Sequence, residues 1–124
     1  MGITIHFQGK LKTERSFNKL VVAAQHFIVA HELQFVVFDV DEHDLIRVKH
    51  GALSVYKGPV KALIINMGKD CESLRFEFDD ERYMQSFCKT AYAGPAVHQL
   101  VVDFLRQVEV LFDDFEVFDE AGLW

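Results

Sequence analysis

The stretch that decides the fold is residues 33–78, LQFVVFDVDEHDLIRVKHGALSVYKGPVKALIINMGKDCESLRFEF. It is dense in β-branched and aromatic residues and has no helical period, so it reads as consecutive strands. Leu33 to Val40 is a first apolar run, ended by Asp41-Glu42-His43-Asp44. Leu45 to Lys49 resumes alternation, Gly51 bulges or turns the chain toward Leu53 and Val55, and Lys57-Gly58-Pro59 turns it again. Val60 to Met67 reads as a central strand. After the Gly68-Lys69-Asp70 turn, Leu74-Arg75-Phe76-Glu77-Phe78 alternates clearly. Strands joined by short turns are expected to be antiparallel.

Outward from this run the pattern changes. Ile3, Ile5 and Phe7 alternate with Thr4, His6 and Gln8 before Gly9, which predicts a half-buried strand. Ser16, or Thr13 before it, can cap a helix reaching about Glu32, with Phe17, Leu20, Val21, Ala24, Phe27 and Ile28 as its apolar face. Asp79 or Asp80 is placed as the cap of a short helix through Cys88. Gly94-Pro95 then precedes a helix of about 18 residues carrying Val97, Leu100, Val101, Phe104, Leu105, Val108, Leu111 and Phe112. Phe115 to Trp124 reads as a short strand or extended tail.

The expected architecture is a single α+β domain over residues 1–124. A mainly antiparallel sheet has two helices packed on one face, in the order β-α-β-β-β-β-α. That order resembles the TATA-binding-protein-like fold, a curved sheet gripping a long helix, and carries no function by itself. A ferredoxin-like split is the runner-up; the unbroken strand run argues against it. Leu33–Val40 and Val60–Met67 are apolar on both faces, so part of the second sheet face is expected to be covered.

Half of the 124 residues are apolar and twelve are Phe, with 26 % charged. That composition predicts a packed core rather than disorder. The net charge of −6 is unevenly spread: Glu109 to Trp124 holds six carboxylates and no Lys or Arg, whereas Lys10, Lys12, Arg15 and Lys19 make the opening locally positive. No clustered basic footprint for nucleic acid is present. No apolar run reaches membrane-spanning length. The opening Met1-Gly2-Ile3 stretch lacks the features of an export signal, and His6 stands where a myristoylation pattern on Gly2 requires Ser or Thr. A cytoplasmic location with Cys71 and Cys88 as free thiols is therefore expected.

The best candidate site joins the start of the last helix to the acidic tail. Lys89, Thr90, Tyr92, Gly94 and His98 surround a helix N-terminus, where free N–H groups favour an anion. Asp119 and Glu120 would meet His98 if the chain reverses near Asp113-Asp114. Trp124 is expected to pin the tail or to sit at a dimer surface. A second cluster, Asp39, Asp41, Glu42, His43 and Asp44, lacks EF-hand spacing and reads as a solvated hairpin turn. His26 and His31 do not share a helix face, and there is no HExxH, GxSxG, GxGxxG or Walker loop. No metal or cofactor is expected.

Lys89-Thr90, Gly94-Pro95, His98 and the closing Glu116-Val117-x-Asp119-Glu120-x-Gly122-x-Trp124 resemble the C-terminal pattern of a group of small uncharacterised bacterial α+β proteins. The resemblance is strongest over the last 36 residues. It implies that the helix start and the tail are kept together for a structural or ligand-binding reason. Three functions remain open, with an interaction or regulatory domain preferred and homodimerisation compatible with it. The second is a small-ligand or anion-binding module at Gly94 and His98. The third is a small metal-dependent or hydrolytic enzyme using His98, Asp119 and Glu120.

Overall fold

The computed structural model describes residues 3–124; Met1 and Gly2, on which the reading of the chain start partly falls, lie outside them. The elements are β1 (Thr4–Leu11), α1 (Arg15–His31), β2 (Gln34–Lys49), β3 (Ala52–Asn66), β4 (Leu74–Phe78), β5 (Tyr83–Lys89), α2 (Pro95–Val108) and β6 (Phe112–Asp119). The fold is α+β with every strand pairing antiparallel.

The expected single sheet is divided into two hydrogen-bonded ladders of three strands, β5-β1-β6 and β2-β3-β4. The seam lies between β4 and β5, which are joined by a tight turn in which the Arg82 N–H donates to Asp79 O and the Asp79 N–H to Tyr83 O. Both ladders and both helices contribute to one core. It unites Ile5, Phe7 and Leu11 with Leu63, Ile65, Phe76, Met84, Phe27 and Phe104. Phe27 of α1 meets Phe104 of α2 at 4.7 Å between ring centroids, and Phe104 in turn meets Phe76 of β4.

The α1 stripe is as expected from spacing: Phe17, Leu20, Ala24 and Phe27 are buried. Ser16 lies in the first turn rather than ahead of it, and its Oγ accepts from the Thr13 N–H at 3.2 Å. That bond closes the turn ahead of the helix, whose own first N–H groups receive no side-chain cap. The helix ends at Glu32, whose backbone takes the left-handed conformation at φ 55°.

Several expectations are corrected. Residues 79–88 form a turn and strand β5, not a helix, because Met84 and Cys88 must face the core while Tyr83, Gln85 and Phe87 pair across β1. The last helix stops at Val108, followed by one 3-10 turn at Glu109–Leu111, and Phe112 begins β6. Asp41–Asp44 is not the hairpin turn. It belongs to β2, at a register shift between Val40 and His43, and the turn comes instead at His50-Gly51.

That shift bends the long β2–β3 hairpin, and its end forms an arm over residues 44–57. Leu45 on the arm packs with Val60 and Ala62 as a second small core, flanked by Phe38 and Tyr56. The expected cover over the second apolar face is thus partly supplied by the chain itself. Gly58 leaves room for the bend: a Cβ there would stand 2.7 Å from Tyr56 Oη. The Tyr56 hydroxyl donates to Pro59 O at 2.8 Å and accepts from the Asp80 N–H at 3.2 Å, fastening the arm to the β4–β5 turn.

Candidate functional site

Two places draw attention: a buried polar chain at the C-terminal pattern, and an open groove under the hairpin arm.

The polar chain is Thr90, His98 and Asp119. Thr90 follows β5, His98 sits in the first turn of α2 and Asp119 ends β6, so three separated elements converge. Thr90 Oγ1 lies 2.5 Å from His98 Nδ1, and His98 Nε2 lies 2.9 Å from Asp119 Oδ2. Burial alone would push the Asp119 carboxyl upward. The hydrogen bonds from His98 and from the Ala121 and Leu123 N–H groups outweigh it and hold Asp119 below its ordinary value. With Asp119 ionised, His98 Nε2–H is the donor, and a neutral ring accepts the Thr90 hydroxyl proton at Nδ1.

A hydroxyl, imidazole and carboxylate in series can raise the nucleophilicity of the hydroxyl. Here all three residues are at least 94 % buried, at 2 %, 4 % and 6 % exposure. The Asp119 carboxylate is further occupied by two backbone N–H groups. No groove residue belongs to this chain. Its evident physical effect is to bind the start of α2 to the end of β6.

The other expected site residues disperse. Glu120 turns from His98 to β1, where its carboxylate meets His6 Nε2 at 3.0 Å and accepts from the Thr4 N–H at 3.1 Å. The bonds from His6 and from the Thr4 N–H hold Glu120 below the usual carboxylate value, against the opposing effect of desolvation. Lys89 lies over the Tyr92 ring, and Tyr92 itself is exposed. Gly94, at φ 92°, forms the bend ahead of Pro95, and its carbonyl accepts from the His98 N–H. Trp124 packs edge-on against Phe115 with the Arg106 guanidinium over its ring, while Arg106 Nη2 donates to Leu123 O. Trp124 thereby fastens the tail. Among the described residues, no group of three or more His, Cys, Asp or Glu is placed to hold a metal ion.

The groove, of about 1000 Å³, was not singled out by any sequence motif. Its floor is the outer face of β5-β1-β6. Two cross-strand rows lie on it: Phe87–His6–Phe118 and Gln85–Gln8–Glu116. Alternation placed Phe7 inward and His6 and Gln8 outward, and it likewise put Phe87 and Phe118 on the outer face. Those two rings remain 58 % and 65 % exposed on either side of the His6 imidazole. Gln8 Nε2 donates to Glu116 Oε2 at 3.1 Å.

The arm forms one wall through Ile46, Val48 and Leu53; β4 and the segment before it form the other through Glu72, Arg75 and Glu77. On the arm, Ile46 pairs with Val55 and Val48 with Leu53, giving an exposed apolar face of four side chains. Arg47 points the opposite way, into the seam. Nη2 donates to Glu77 O at 2.9 Å and Tyr83 O at 3.3 Å, Nη1 donates to Gln85 O at 3.3 Å, and Nε has no partner. One buried guanidinium therefore bridges carbonyls of β4 and β5 where the ladder is interrupted. Burial pushes its pKa down, opposed by Asp79, Tyr83 and Glu77. The signal that could have found the groove is the pair Phe87 and Phe118 in polar-facing register, legible only once residues 83–89 are read as a strand.

Compared with protein-family models, curated proteins and solved structures, the chain has no match.

Proposed function

We propose that this protein is a non-catalytic interaction domain whose binding surface is the groove between the hairpin arm and the outer face of β5-β1-β6. The observation that carries the reading is the exposed Phe87–His6–Phe118 row at the floor of a groove walled by Ile46, Val48 and Leu53. Two half-exposed phenylalanines beside an aliphatic wall are apolar area that gains by being covered. Asp44, Glu72, Glu77 and Glu116 line the same groove, against Arg75 and the carbonyl-bound Arg47. The fitting partner is a protein segment that sets apolar side chains beside Lys or Arg.

The buried state of Thr90, His98 and Asp119 favours this reading over a hydrolase, since a nucleophile needs a path to substrate. It also disfavours an anion site at Gly94, because the His98 ring is committed inward. The adjacency of β4 and β5 across the seam supports the TATA-binding-protein-like arrangement. The direct Thr90–His98–Asp119 contact supports a structural reason for keeping the helix start and the tail together. Among the described residues, no helix is long and apolar enough to cross a membrane.

The test is selection from a displayed peptide library on the intact protein, followed by binding measurements on variants. Phe118→Ser and Leu53→Ser should each weaken the selected peptides at least tenfold. Val29→Ser, at an exposed position on α1, should leave them unchanged. Selected peptides that bind all three variants equally, or no enrichment of basic-apolar sequences, would overturn the reading.

A further inference from the structure

Cys71 precedes β4 and Cys88 lies near the end of β5, and the fold lays the two cysteine-bearing segments side by side. The flanking residues are fixed together: the Glu72 N–H donates to Lys89 O at 3.3 Å, and the Lys89 N–H to Glu72 Oε1 at 2.7 Å. Each thiol also has a carbonyl on the other segment, Lys89 O for Cys71 at 3.8 Å and Glu72 O for Cys88 at 3.5 Å. Cys71 is half-buried and Cys88 fully buried, so a small oxidant reaches Cys71 first. The S–H of Cys88 stabilises a thiolate on Cys71 and holds that thiol below its ordinary value, against the upward effect of burial. The same bond, with burial, pushes Cys88 up and keeps it a thiol. A partly accessible, low-pKa thiol next to a second cysteine is the arrangement that reversible peroxide oxidation uses, the second sulfur giving up its proton as it attacks.

We propose that Cys71 and Cys88 are a reversible disulfide site, oxidised by a hydroperoxide, with Cys71 as the attacking sulfur and Cys88 as the resolving one. The Cys71 thiolate attacks one peroxide oxygen; an S–O bond forms, the O–O bond breaks, and the departing oxygen takes a proton and leaves as water from hydrogen peroxide. Cys71 is then a sulfenic acid. The Cys88 sulfur attacks it, the S–S bond forms, the S–O bond breaks, and the hydroxide leaves as a second water with the Cys88 proton. Two electrons pass from the thiols to the peroxide, and an external dithiol returns them. The bond rivets the connection before β4 to β5, beside Glu72 and Ser73 at the groove wall. Its formation does not depend on what the groove binds.

The test uses the intact chain, treated with equimolar hydrogen peroxide, denatured in N-ethylmaleimide and weighed by mass spectrometry. The expected product has lost two hydrogens and carries no maleimide, and dithiothreitol restores two alkylatable thiols. Cys88→Ser should stop at a Cys71 sulfenic acid that dimedone traps, and Cys71→Ser should keep Cys88 alkylatable. Wild-type protein that still takes two maleimides, or that ends with Cys71 as sulfinic acid and Cys88 free, overturns the proposal.

Discussion

The side chain of Gln85 takes both backbone hydrogen-bonding groups of Val48: Oε1 accepts from the Val48 N–H at 2.7 Å, and Nε2 donates to Val48 O at 2.9 Å. A side-chain amide on β5 thus imitates a neighbouring strand for the edge of the hairpin arm. With Arg47 on the adjacent residue reaching across the seam, this contact holds the arm against the second ladder and shapes one side of the groove.

Gln85→Ala should release the arm without unfolding the domain. The two lost hydrogen bonds are worth about 1 kcal/mol in stability. Amide exchange over residues 46–53 should quicken, while Leu63 and Ile65, buried in the main core, keep their protection. Hydrogen-exchange mass spectrometry checks both parts.

Arg47→Met should be more costly. It keeps apolar volume but leaves Glu77 O, Tyr83 O and Gln85 O without the guanidinium donors. A loss of about 2 kcal/mol in urea unfolding is expected. An unchanged midpoint would mean that the cost of burying the cation cancels its three bonds.

Stability should fall in acid through Asp119. Its folded pKa is lowered, so the stabilisation is present above the unfolded carboxylate value, about 4. It is lost as pH falls through the lower folded value. Asp119→Asn should therefore cost about 2 kcal/mol at neutral pH. The difference from wild type should narrow as the pH falls below the unfolded carboxylate value, measured by urea titrations across that range.

Gly9→Ala should destabilise the fold by about 1–3 kcal/mol. A Cβ at this position would meet Phe115 Cδ1 at 2.9 Å and the Phe115 Cα at 3.3 Å, where β1 shifts register against β6. Because one neighbour is main chain, side-chain rotation alone does not relieve it. Thermal unfolding gives the comparison.

The α1 stripe, the outward alternation of His6 and Gln8 and the strand character of the run from 34 to 78 were legible in the sequence, because each is a local period repeated over several residues. The division of that run was not: it holds three strands, and the fourth strand between the helices is β5, where a short helix was expected. Asp41–Asp44 has turn composition but lies within β2, since pairing with Lys57 and Gly58 across the ladder overrides local preference. Residues 79–88 carry a helix-cap signal at Asp79; its carboxylate instead accepts the Glu81 and Tyr83 N–H groups and makes the β4–β5 turn. At the candidate sites, a meeting of His98 with Asp119 was foreseen as conditional on the tail reversing, but Thr90 on the far side of the imidazole and the diversion of Glu120 to His6 were not.

Local pattern alone sufficed for the fold class and for which faces of α1, α2, β1 and β4 turn inward, because burial of apolar side chains obeys the helix and strand periods directly. Long-range packing set the division of the sheet between β4 and β5 and the bridging of it by Arg47. It likewise decided that the arm walls a groove floored by Phe87 and Phe118, and that the segments carrying Cys71 and Cys88 lie side by side. The Arg47 bridge, the groove and the cysteine pair join residues 17 or more positions apart. They depend on register and on the bend at Val40–His43, which no local pattern encodes.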